Sequence, residues 1–216
     1  MQIQLSFSKI LLAFFAFIGL MIAARVIYSG EYRFIFLIWN LFLAWIPFAL
    51  STTFKKMHQS SSLKQGLLFF VWLLFFPNAL YMVTDLIHLN MQTNVPKWFD
   101  AVLLFTAAIV ALLMALIAIL RVEKYLAIKI KARFVPAAVL GILFLGSFGV
   151  YLGRFLRLNS WNFLSNPLPL FIAVAERFVF PLAHVRTWSV TFLLTVLFYL
   201  LFLALKKLPG YINQAA

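Results

Sequence analysis

The 216-residue chain has no cysteine and only five acidic residues against eighteen lysines and arginines. Without cysteine there is no disulfide framework, no thiolate metal site and no cysteine nucleophile. Charged residues are only 11% of the chain, against roughly a quarter in soluble domains. Too few polar groups are therefore present to cover a water-exposed globule. Long polar segments are missing too, which argues against disorder and against a separate soluble domain. No glycine-rich phosphate loop, dinucleotide fingerprint or nucleophile elbow occurs, so Ser147 and Ser160 have no hydrolase context.

What is there is hydrocarbon: 65% of the residues are hydrophobic and 26 are phenylalanine. An all-α integral membrane protein follows, with 1–216 forming one multi-pass membrane domain. A bilayer core of about 30 Å needs about 20 mostly apolar residues per helix. Six stretches meet this, approximately 8–28, 33–53, 65–88, 98–120, 133–153 and 185–206. The first follows only Lys9 and shows no small-x-small cleavage site before Arg25, so it reads as an uncleaved span. Residues Arg121–Arg133, with five basic residues and one acid, read as an interfacial helix. Between the fifth and sixth spans, Leu168–Phe180 is too short to cross and carries Glu176 and Arg177, so it reads as interfacial or re-entrant.

A net charge of +13 would point to nucleic acid in a soluble protein. Here the basic residues cluster at span ends, and no basic face interleaved with stacking aromatics lies outside the bilayer. The expected partner is the lipid bilayer, not nucleic acid. With six spans, eleven lysines and arginines share the side of the termini and seven lie on the other. Both termini are accordingly expected to be cytoplasmic. Four of the five acids, together with His88 and His184, fall on the opposite, extracytoplasmic side.

One stretch is unlike the rest. Residues 76–90, Phe-Pro-Asn-Ala-Leu-Tyr-Met-Val-Thr-Asp-Leu-Ile-His-Leu-Asn, carry polar groups at the end of an apolar span. At helical spacing Pro77, Asn78, Tyr81, Thr84, Asp85 and His88 fall within an arc of about 120°. Pro77 is expected to kink this span and release the carbonyl of Leu73. Asp85 and His88 form an i, i+3 pair, as do Arg154 and Arg157 at the end of the fifth span. Asp100 opens the fourth span close by. Asn40 and Asn78 sit at matching depth, where they could bond across spans two and three. A Gly149-x-x-x-Gly153 pair invites close helix packing.

Ionisable groups inside a membrane are costly and usually mark a site. The paired arginines suit a phosphate or carboxylate, and Asp85 is placed to orient His88 as a general base. The working expectation is an outer-leaflet site for an anionic lipid headgroup or cell-envelope precursor, compatible with hydrolase or transferase chemistry. Whether the chain is an enzyme is left open, and no cofactor is expected. Two ligands on one helix with arginines beside them make a poor metal site. A small transporter or channel is the alternative, and a structural partner in an envelope complex is another. A purely structural role would pair Asp85 with Arg154 or Arg157, Asn40 with Asn78 or Tyr81, and use Asp100 as the N-terminal acid of its helix.

Three motifs carry a family resemblance: Trp39-Asn40-Leu41-Phe42-Leu43-Ala44-Trp45-Ile46-Pro47; Phe76-Pro77-Asn78-Ala79 through Tyr81, Thr84-Asp85-Leu86 and His88-Leu89; and Gly153-Arg154-Phe155 with Arg157 and Asn159-Ser160-Trp161. In this order they resemble the uncharacterised bacterial membrane proteins grouped as domain of unknown function 1361, roughly from the second span to the last. The resemblance implies a multi-pass protein of a bacterial cytoplasmic membrane and supplies no catalytic residues. Asn159 and Trp161 join the candidate supporting groups with Asn40, Asn78, Tyr81, Thr84 and Asp100. Asn162 stands where an aspartate is expected, which removes an acid role there.

Overall fold

Apolar runs of this length can satisfy their backbone in a bilayer only as helices, because each N–H is then bonded within its own segment. The computed structural model describes residues 6–57, 61–90, 93–158 and 165–215, and every regular element among them is helical. They are α1 (Phe7–Ser29), α2 (Phe36–Met57), α3 (Ser62–Tyr81) with a 3₁₀ extension (Met82–Asn90), α4 (Lys97–Lys129), α5 (Val135–Leu156), α6 (Pro167–Val179) and α7 (Val185–Ala215), with short 3₁₀ turns Ala132–Phe134 and Pro181–His184 leading into α5 and α7. Among the described residues, six helical stretches are long and apolar enough to cross a membrane, α3 counting together with its extension. The short helix α6 is not one of them: its 13 residues rise only about 20 Å.

The bundle organises around α4, which touches every other crossing helix and whose most apolar stretch is 61% buried, against 28% for α1. Its buried alanines Ala107, Ala111, Ala115 and Ala118 recur on one face. Small side chains let neighbouring backbones approach where lipid gives no hydrophobic drive to associate. Helix α2 packs on both α3 and α4, and α5 packs on α3 and α7. Trp72, fully buried, donates its indole N–H to the Pro47 carbonyl at 3.0 Å and ties α3 to α2. Helix α1 buries a single stripe, Leu11, Ile18 and Arg25 at seven-residue spacing with Met21 and Ile22, and leaves the rest of its surface to lipid. It stops at Gly30, whose left-handed φ of 68° turns its N–H back to the Val26 carbonyl.

Two boundaries depart from expectation, and the third span changes helix type near its end. Helix α4 runs unbroken to Lys129, so most of the stretch expected as a separate interfacial helix is its continuation. Residues 121–129 hold neither glycine nor proline, and nothing stops the helix before Ile130. Helix α7 likewise extends through Pro209 to Ala215, beyond the expected end at 206. At the polar stretch, the chain stays α-helical through Pro77, and the change of geometry comes at Met82. The Thr84 hydroxyl donates to the Tyr81 carbonyl at 2.6 Å within this tightening turn.

The contact between α5 and α3 falls beside Pro77. A Cβ on Gly149 would lie 2.6 Å from Pro77 Cγ, and one on Gly146 would lie 2.9 Å from Leu80 Cδ1. The close approach therefore uses Gly149, one member of the pair expected to supply it, together with Gly146 three residues earlier.

Candidate functional site

The 3₁₀ segment sets the geometry of the polar stretch. With three residues per turn, side chains at i and i+3 eclipse. Asp85 and His88 are thereby stacked along one edge, with Asp85 Oδ1 3.7 Å from His88 Nε2. Asp85 is almost wholly buried, at 1% exposure. Across from it, the last turn of α5 brings in Arg154.

Arg154 is gripped from several directions. Its Nη2 forms a close ion pair with Asp85 Oδ1, its Nε donates to Thr84 Oγ1 at 2.8 Å, and its Nη1 lies 3.3 Å from His88 Nε2. The Tyr81 ring lies against the guanidinium, 4.1 Å from Cζ. Asp85 Oδ2 accepts from Asn40 Nδ2 at 3.2 Å. An arginine has donors and no acceptor, so the contact with His88 requires the imidazole Nε2 to accept and Nδ1 to carry the proton. Three of the five guanidinium N–H groups thus have partners among the described residues. The Arg154 side chain is 11% exposed and borders an open cavity of about 660 Å³.

That cavity lies between the start of α2, the end of α3 with its extension, and the end of α5. Arg33, Arg154 and Arg157 line it with Asp85, His88 and Asn78. Arg33 Nε is 3.2 Å from Glu31 Oε2. Three arginines against Asp85 and Glu31 leave one positive charge in excess, with His88 counted as neutral. Arg157 occupies the residue after α5 in the left-handed region, φ 58°, where glycine is usual. The turn lets the Leu158 N–H reach the Leu152 carbonyl at 3.1 Å.

The candidates thus divide. Asn40, Asn78, Tyr81, Thr84, Asp85, His88, Arg154 and Arg157 come together at one cavity. Asn40 bonds to Asp85 rather than to Asn78 or Tyr81, and Asn78 Nδ2 donates to the Phe75 carbonyl at 3.0 Å. Asp100 stands apart from that cluster. It takes both Nε (2.8 Å) and Nη2 (3.3 Å) of Arg25 and accepts from Thr93 Oγ1 at 3.1 Å. Asn159 and Trp161, like Asn162, lie outside the described residues.

Sequence reasoning missed Arg25, Glu31 and Arg33 as parts of one network. Glu31 Oε2 lies 3.9 Å from Arg25 Nη2 as well as 3.2 Å from Arg33, and so links the Asp100 pair to the cavity wall. A signal for Arg25 was present, since it falls on the same seven-residue stripe as Leu11 and Ile18. Among the described residues no group of three histidines, aspartates or glutamates is placed to hold a metal ion.

Six apolar helices, one short amphipathic helix and an arginine-centred cavity at one end define a polytopic helical membrane protein. The chain matches the family model described as "Protein of unknown function (DUF1361)" over residues 39–201, and it belongs to that family. The match takes in Asn40, the 3₁₀ segment and Arg154 but begins after Arg25, Glu31 and Arg33. No curated protein and no solved structure matches it.

Proposed function

We propose that the cavity around Arg154 binds the anionic headgroup of a membrane lipid or of a lipid-linked cell-envelope precursor. The positive-inside count supports an extracytoplasmic position for that cavity in a bacterial cytoplasmic membrane. The observation that carries the reading is the posture of Arg154. Its guanidinium is fixed by Thr84, Asp85, His88 and Tyr81 and still borders open space beside Arg157 and Arg33. A donor held in place in advance loses little rotamer freedom when an anion arrives, and a planar guanidinium fork can bond two oxygens of one phosphate.

Within this reading Asp85 is an anchor for Arg154, since both its oxygens are engaged and its side chain is buried. His88 Nε2 lies 3.3 Å from Arg154 Nη1, so its lone pair is directed at a cation rather than at open space. Binding is therefore favoured over the proton transfer expected of this pair. Transport has less support, because the neighbouring buried residues Phe76, Leu80, Leu103 and Leu104 are apolar.

The test is selective lipid retention. Protein reconstituted with equal parts phosphatidylglycerol and phosphatidylcholine, then re-extracted and washed, is expected to keep the anionic lipid preferentially. Arg157→Gln should reduce that preference by about tenfold, as loss of one charge-assisted hydrogen bond predicts. Equal retention of both lipids by the wild type would sink the proposal.

A further inference from the structure

A second cavity opens directly beside the first. It has a volume of about 380 Å³ and runs along α3 from Tyr81 toward Phe70, a rise of about 16 Å. Its walls are α3, α5 and the short helix α6, which supplies Leu170, Phe171 and Val174. Unlike its neighbour it is overwhelmingly apolar. The two cavities share Asn78, Tyr81 and Gly153 as lining residues, so a polar chamber and an apolar one adjoin at that step.

From this juxtaposition we infer that the ligand is a phosphorylated amphiphile whose head sits at Arg154 and Arg157 and whose hydrocarbon chain lies in the groove between α3, α5 and α6. The inference rests on the headgroup reading of the polar cavity and adds the substrate class. A water-soluble anion would use the first chamber and leave the second with no role. An uncharged hydrocarbon would not need the arginines. Charge complementarity supports the same assignment, because the polar chamber carries an excess positive charge while the groove carries none from its own lining residues.

The physics of chain binding differs here from that in water. Lipid tails are as apolar as the groove, so entering it yields no transfer free energy. Selectivity must come from packing and from the covalent tether, which raises the effective concentration of the chain once the head is held. Helix α6 is suited to hold that chain. It is too short to span and turns Leu170, Phe171 and Val174 toward the groove, while Pro167 and Pro169 set its start. Gly149, pressed against Pro77, belongs to the same wall, so the contact that joins α5 to α3 also shapes the groove.

The experiment compares three probes on the purified full chain in neutral detergent: dioleoyl phosphatidic acid, glycerol 3-phosphate and dioleoylglycerol. Phosphatidic acid is expected to bind at least about tenfold more tightly than glycerol 3-phosphate, a difference worth about 1.4 kcal/mol. Dioleoylglycerol should bind more weakly than phosphatidic acid by a similar factor. Leu145→Trp, at a groove position already 46% exposed, should bring phosphatidic acid down to the affinity of glycerol 3-phosphate and leave the latter unchanged. Leu170→Trp fills the groove from α6 and should act alike. Arg157→Gln should weaken both phosphates. A phosphatidic acid carrying a diazirine in its chain should cross-link at Phe70 and Leu74 in preference to Phe192 and Leu193 on the exposed face of α7.

Equal affinity for the two phosphates, both sensitive to Arg157→Gln, would overturn the chain site and leave the headgroup reading standing. Insensitivity of both to Arg157→Gln would remove the headgroup reading and this inference with it. Even cross-linking around α3 and α7 would also overturn the groove assignment.

Discussion

Arg157 is the residue at which local conformation and charge are in conflict. A non-glycine residue in the left-handed region costs about 1–2 kcal/mol, and such residues persist where the surrounding structure or function holds them. Its φ of 58° lies at the wall of the arginine-lined cavity, so conformation and site coincide. Arg157→Gly should therefore separate the two contributions. It removes the charge and relieves the backbone, so thermal stability in detergent should exceed that of Arg157→Ala, which loses the same side chain but keeps the left-handed strain, by about 1 kcal/mol. Retention of anionic lipid should fall at the same time. A drop in stability together with unchanged lipid retention would show that the side chain serves packing alone. Nothing in the spacing of Arg154 and Arg157 announced this difference between them. As an i, i+3 pair they looked equivalent, yet one lies in the last turn of α5 and the other in the reversed turn after it.

Elements explain why part of the site could be read in advance and part could not. Span length and parity bring the ends of α3 and α5 to one side, so grouping Asp85 and His88 with Arg154 needed only counting. The partners of each group depended on helix type and on packing angle. A switch to 3₁₀ geometry at Met82 changes the angular step and stacks Asp85 on His88, and no proline or glycine marks that switch. Asp100 was legible as an acid at a helix start but not as the partner of Arg25, because α1 docks on α4 along a stripe that looks uniformly apolar until Arg25. The glycines of α5 were legible as packing residues, though not which of them would touch α3. Gly149→Ala places a methyl group 2.6 Å from the Pro77 ring, which cannot rotate away, so α5 must shift. Overpacking of this kind costs about 1–3 kcal/mol. Thermal unfolding should show that loss, together with weaker anionic-lipid retention as Arg154 moves off Thr84. Gly141→Ala in the same helix meets nothing within 4 Å and should be neutral or slightly stabilising. Equal effects from the two substitutions would show that the Gly149 contact does not set the position of α5.

For the whole molecule, the question is which membrane face the cavity opens to. Arg25, Glu31, Arg33, Asp85, Asp100, Arg154 and Arg157 all lie at the end of the bundle where α1 and α5 finish and α2 and α4 begin. The opposite end carries Lys55, Lys56, Arg121, Lys124 and Lys129, with Glu123 paired to Lys206. Lysines and arginines in short loops hold the cytoplasmic side, whereas acids contribute little to orientation, so the acid-containing cavity end should face outward. A chain without cysteine makes this directly measurable, since any introduced thiol is the single reporter. Tyr32→Cys sits at the cavity end on an exposed residue, and Ser61→Cys sits at the other end on an exposed residue. In intact cells a membrane-impermeant maleimide should label Tyr32→Cys at once and Ser61→Cys only after permeabilisation. The reverse pattern would turn the cavity toward the cytoplasm, where the same arginines would meet soluble phosphates, and envelope precursors on the outer leaflet could no longer be their ligand. Labelling of both positions without permeabilisation would break the six-span count itself, because an even number of crossings separates neither terminus from the other and each of these loops lies one crossing from its neighbour.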